Sequence, residues 1–181
     1  GVASGGQGPD DEEDAPIGAH TAILTARGEY FRACFRKGGM RESESSVIRI
    51  EHHDRTTVLR MLEYIYTNRV ATLSSCSAQE SLDTLRLGEE YFLPGLLRLC
   101  ENEAKKQIIR ENVVRIVSLA DKYNAEHLKN ACMAFIRGNA QDILSHPPSR
   151  SELEEAPQLL ISITESLAHA LPKARPNKRM R

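Results

Sequence analysis

Residues able to carry chemistry are few in this 181-residue chain, and they are poorly spaced for it. His52-His53-Asp54 is the densest set of potential ligands. Adjacent side chains do not converge well on one ion. Asp54 reads instead as the N-cap of the next helix, its short carboxylate placed to accept a first-turn N–H. The four cysteines, Cys34, Cys76, Cys100 and Cys132, form no Cys-x-x-Cys pair and have no histidine at ligand spacing. No serine lies in a Gly-x-Ser-x-Gly elbow. Gly38-Gly39 lacks the other glycines and the lysine of a phosphate loop. His20 reads as a structural, hydrogen-bonded histidine. No catalytic residue, metal or cofactor is expected, and the chain does not read as an enzyme.

The informative stretch runs from Tyr30 to Val70 and has the character of a docking surface. An aromatic-rich helix end, Tyr30 to Phe35, leads into Gly38-Gly39. A Met40-Arg41-Glu42 step follows, then the alternating Val47, Ile48 and Ile50, then a helix ending Tyr64-Ile65-Tyr66-Thr67. Tyr64 and Tyr66 are two apart and face different ways on a helix, which places at least one in the core and argues against base stacking.

Composition sets the frame for these residues. Apolar residues make up 40% and charged residues 27%, with a net charge of -1. This is ordinary for a globular protein of one domain, or one and a part, and gives no overall bias towards nucleic acid or membrane. No apolar run is long enough to span a bilayer, and no signal peptide is visible. The cysteines read as reduced, mostly buried thiols of an intracellular protein. Residues 1–18 are Gly-rich and then acidic through Asp10, Asp11, Glu12, Glu13 and Asp14, and are expected to be disordered. The chain starts at Gly1, as expected of a fragment or a processed form. The end is basic, with Lys173, Arg175, Lys178, Arg179 and Arg181, and reads as a linker in preference to a nuclear localisation signal.

Between the ends the pattern is mostly helical. His20 to Phe35 reads as two helices broken at Gly28. Val47 to Ile50 is the best strand, and Val70 to Leu73 a short extended piece. A helix capped by Asp54 carries Val58, Met61, Leu62, Ile65 and Tyr66 on one stripe. Ser77-x-x-Glu80 is a capping box opening a helix through Leu82 and Leu85. Pro94 opens the next, with Leu97, Cys100, Ala104 and Ile108 as its apolar face. A helical hairpin follows, with Val113, Ile116, Val117, Ala120 and Tyr123 before a joint at Asn124, and Leu128, Ala131, Cys132, Phe135 and Ile136 after it. Its outline resembles the preceding pair of helices. His146-Pro147-Pro148 reads as a break, Ser151-x-x-Glu154 as a second capping box, and Leu159–Leu171 as a last amphipathic helix. One strand cannot make a sheet alone. Either its partner is missing from this chain or it packs on helices.

Several of these segments together resemble the BTB/POZ family. His20 to Phe35 is similar to the family's entry helices, and Gly38 to Ser43 to the loop before its later strand. Leu62-Glu63-Tyr64-Ile65-Tyr66-Thr67 resembles its signature helix end. Leu87 to Leu96 and Leu99-Cys100-Glu101 resemble the helices that follow. Glu111-Asn112-Val113 and Leu119 to Tyr123 look like the start of a BACK-type extension, in the manner of BTB proteins with ankyrin or RCC1-type repeats. The resemblance implies an α+β, mostly α fold: a BTB/POZ-like helical cluster with a small, incomplete sheet, followed by BACK-like helical hairpins. The implied domains are a disordered segment at 1–18, BTB/POZ at 19–108, BACK-like helices at 109–171 and a basic tail at 172–181.

By the same resemblance the chain is expected to be a protein-interaction module, an adaptor of a cullin-3 RING ubiquitin ligase that presents substrates through another domain. Met40-Arg41-Glu42 matches the family's hydrophobic-x-Glu step that contacts the cullin. Met40, Glu42, Tyr66, Tyr91 and Phe92 are the expected partner-binding residues. The alternative is a self-associating BTB scaffold or a transcription-related regulator. The family's first strands and dimer-forming helix would precede His20, so homodimerisation depends on them and a core without them is expected to be marginally stable. Neither nucleic acid nor membrane is an expected partner, and the site is cytoplasmic or nuclear.

Overall fold

The computed structural model describes residues 15–36 and 47–170. Most of the expected disordered segment, the Gly38-Gly39 turn, Met40, Glu42 and the basic tail lie outside the described residues. The chain divides into two compact units, residues 1–103 and 104–181.

The first unit opens with two short helices, α1 (Thr21–Arg27) and α2 (Glu29–Cys34). Gly28 caps the end of one and the start of the other, and a Cβ there would meet the Phe31 ring at 2.7 Å. Glycine thus lets Phe31, only 2% exposed, fold back under the joint. Helix α3 (Arg55–Thr67) begins at Asp54, whose carboxylate accepts the Thr57 N–H, and ends at Asn68 in the left-handed region. Val58, Met61 and Ile65 turn inward from α3 at helical spacing, while Leu62 is half-buried and Tyr66 exposed.

Helix α4 (Ala78–Glu90) starts with the capping box the spacing predicts. The Ser77 hydroxyl accepts the Glu80 N–H, and the Glu80 carboxylate accepts the Ser77 N–H. Helix α5 (Pro94–Lys106) has proline first, where no N–H is needed. It buries Leu96, Cys100 and Ala104. Helix α1 packs on α2 and on α3, and α3 packs on α4. Each fully buried aliphatic or aromatic side chain in this core contributes about 1.5–3 kcal/mol. Arg60 lies within it at 7% exposure and donates from Nη2 to Glu80 Oε1 at 2.8 Å. Hydrogen bonds from the Ser77 backbone N–H and hydroxyl, then Arg60, draw the Glu80 carboxyl down to about 2.

Two expectations in this unit are corrected. Among the described residues no β-strand forms, so the small sheet is absent from them. Ile48 and Ile50 are half-buried while Val47 and Arg49 are exposed, so the alternation is real, but no neighbouring strand supplies the ladder that would define one. The stretch after Val70 is not extended either. Leu73–Ser75 forms a 3₁₀ turn that buries Leu73.

The second unit is built of helices joined by short turns among its described residues. Helices α6 (Val113–Lys122) and α7 (Glu126–Gly138) form the expected hairpin. Val113, Ile116, Val117 and Ala120 face inward from α6, and Leu128, Cys132 and Ile136 from α7. Helices α8 (Ala140–Ser145), α9 (Pro147–Glu155) and α10 (Pro157–Ala170) follow. Helix α10 packs on α7 through Leu159 and Ile163, and α9 packs on α6. His146 ends one helix and Pro147 begins the next, so the proline pair starts α9. Ser151 therefore lies inside α9 and caps nothing, contrary to the expected second capping box.

Candidate protein-binding site

The turn between α4 and α5 separates two of the expected partner-binding residues. The N–H of Leu93 donates to the Gly88 carbonyl at 2.8 Å, and the Phe92 N–H to Glu89 at 3.1 Å. Phe92 stands between them at φ 52. This is a Schellman closure, whose left-handed position is normally glycine. The α6–α7 hairpin closes the same way: Ala125 donates to Ala120, Asn124 to Asp121, and Asn124 has φ 53. In both turns a tyrosine precedes the left-handed residue, and a buried apolar residue follows it.

The closure sends Tyr91 inward and Phe92 outward. Tyr91 is 7% exposed, stacked on Phe31 at 5.8 Å and edge-on to Tyr30 at 4.7 Å. Burial, with the neighbouring Tyr30 and Glu90, pushes its hydroxyl up to about 12. It supports the surface from beneath and does not present its ring. Phe92 is 67% exposed.

Phe92 stands at the rim of a cleft of about 360 Å³ lined by Arg27, Tyr64, Asn68, Pro94 and Gly95. A Cβ on Gly95 would lie 2.0 Å from the Tyr64 hydroxyl, so glycine is what lets α5 and that ring meet. Tyr66 does not line this cleft. Its hydroxyl accepts the His20 backbone N–H and pairs with His20 Nδ1, both at 2.8 Å, which ties the start of α1 to α3. Met40 and Glu42 lie outside the described residues. Arg27, Tyr64 and Gly95 were missed from the sequence as surface elements. Their only signal was position: a helix-end cation, a tyrosine on the non-core side of α3, and a glycine after a first-turn proline.

His53 Nε2 meets Glu90 Oε2 at 2.7 Å, and Arg86 holds the other oxygen of that carboxylate at 2.8 Å. Among the described residues no group of three His, Cys, Asp or Glu side chains is placed to hold a metal. All four cysteines are buried and none is in a disulfide. Burial pushes the Cys100 and Cys132 thiols up to about 12, far from a nucleophile's range.

The sequence pattern of the BTB/POZ domain matches residues 11–108, more than half of the chain. The chain belongs to the BTB/POZ family. Among its relatives, TD and POZ domain-containing protein 2 of Mus musculus is 33% identical over 154 residues, 85% of this chain and 42% of the relative. BTB/POZ domain-containing protein 9 of Drosophila melanogaster is 33% identical over 147 residues, 79% of this chain and 20% of the relative. BTB and MATH domain-containing protein 40 of Caenorhabditis elegans is 25% identical over 169 residues, 93% of this chain and 42% of the relative. The chain thus spans less than half the length of these curated relatives. A BTB/POZ domain is a protein-interaction module and not an enzyme family, and an exposed aromatic beside a cleft suits that role. Among the described residues no helix is long and apolar enough to cross a membrane.

Proposed function

We propose that this BTB/POZ domain is the cullin-binding part of a substrate adaptor for a cullin-3 RING ubiquitin ligase. Met40 and Glu42 contact the cullin, Phe92 anchors the same partner, and Tyr66 and Tyr91 hold the surface in shape. Residues 109–171 act as a BACK-like extension that enlarges the contact, and the substrate is bound by another domain. The observation that carries this reading is Phe92, a large aromatic held in left-handed backbone with 67% of its surface in solvent. Backbone strain and apolar exposure at one residue are tolerated where function uses them. Met40 suits an apolar pocket, and a carboxylate two residues on pairs with a basic group and penalises wrong partners.

The test is calorimetric titration of the folded chain with the N-terminal region of cullin-3. The wild type binds. Glu42→Lys abolishes binding, and Phe92→Gly weakens it by tenfold or more, about 1.4 kcal/mol or above. A folded wild type that gives no heat overturns the cullin reading.

A further inference from the structure

The cleft beside Phe92 has a chemical character of its own. Arg27 is the charged side chain that lines it among the described residues. Its Nη2 donates to Asn68 Oδ1 at 3.0 Å. That bond uses one of the guanidinium's five N–H groups and engages the acceptor end of the Asn68 amide, leaving that amide as a donor. Tyr64 adds a hydroxyl, and Phe92 and Pro94 add apolar wall. The cleft's side-chain donors are thus the Arg27 guanidinium, the Asn68 amide and the Tyr64 hydroxyl, and among the described residues no carboxylate lines it.

We propose that this cleft binds the side-chain carboxylate of an acidic residue on a partner protein, with Arg27 as the specificity-determining residue. A planar guanidinium fork matches a carboxylate's two oxygens better than any other side chain. The volume of about 360 Å³ lies at the small end for a ligand pocket and is ample for one side chain. Phe92 and Pro94 cover the aliphatic stem of that side chain while Arg27 takes its head. The arrangement adds selection for charge to the anchor that Phe92 supplies. It does not require the partner to be cullin-3, so a failed cullin titration leaves it standing.

The experiment is a ¹⁵N–¹H titration of the full chain with N-acetyl-glutamate N-methylamide, run beside the glutamine analogue. The acidic probe moves the Arg27 Nε–H, the Asn68 side-chain amide and the Gly95 backbone amide. The glutamine analogue does not move them. Arg27→Gln removes the response with the rest of the spectrum unchanged, and Arg27→Lys weakens it at least severalfold, since charge remains but the fork is lost. If Arg27→Gln unfolds the chain, the lysine variant decides alone. An absent response, equal responses to both probes, or an Arg27→Lys variant that binds as the wild type does overturns the assignment. A response that emerges only after Asp10, Asp11, Glu12, Glu13 and Asp14 are neutralised gives the cleft to the chain's own acidic run and overturns the partner as occupant.

Discussion

At the scale of single residues, Phe92 is where local preference and surface chemistry disagree. A left-handed backbone costs an L-residue about 1–2 kcal/mol, and Phe92 has φ 52. The equivalent position of the second hairpin holds Asn124, a residue type that tolerates this conformation. With the ring 67% exposed, little burial offsets the strain. Phe92→Gly is therefore expected to raise stability by about 1 kcal/mol in urea unfolding while weakening partner binding. A fall in stability would show that the ring packs more than its exposure implies, and the strain argument would fail. The sequence marked Tyr91-Phe92 as an aromatic pair but could not divide them. A reversal of φ at one residue sends neighbouring rings to opposite sides, and no residue at that position announces it as glycine would.

At the scale of elements, one pattern of spacing has two outcomes. Ser77-x-x-Glu80 and Ser151-x-x-Glu154 have the same capping-box signature. The first is a capping box with both hydrogen bonds made. The second lies within α9 because Pro147 and Pro148 start that helix four residues earlier. Proline fixes φ at a helical value and lacks only an N–H that the first turn does not use, so it outcompetes a serine further along. Ser77→Ala is expected to cost about 1 kcal/mol in thermal or urea unfolding. Ser151→Ala is expected to stay within about 0.5 kcal/mol of wild type, on the stabilising side, since alanine is the better helix former. Equal losses for the two would contradict the placement of Ser151 inside α9. Helices were legible here because their signals are local: caps, a first-turn proline, and apolar residues at a period near 3.6. The strand was not, because Val47 to Ile50 carries the period-two pattern but a strand exists only against a partner.

At the scale of the whole molecule, the order of motifs from His20 to Glu101 was enough to place the family, and the four cysteines were legible as core residues. The structure divides into two compact units at residues 103 and 104. The cysteines sample both units: Cys34, Cys76 and Cys100 in the first, Cys132 in the second. None exceeds 7% exposure. Burial is the largest cause holding the Cys76, Cys100 and Cys132 thiols above their ordinary range, which keeps them protonated near neutral pH. Only the thiolate reacts with disulfide reagents, so labelling needs a structural opening that lets reagent in and restores the ordinary ionisation. Folded chain treated with Ellman's reagent at neutral pH is therefore expected to release almost no colour at first, whereas denatured chain reacts at all four cysteines promptly. Mass spectrometry of partly labelled protein then reads the opening of each unit separately, through Cys132 on one side and the other three on the other. Local openings of the packed helices admit reagent from time to time, so slow but measurable labelling at Cys34, Cys76 and Cys100 is the predicted course. Prompt reaction of any one thiol in the folded chain would contradict its placement in the core and the packing argued from it.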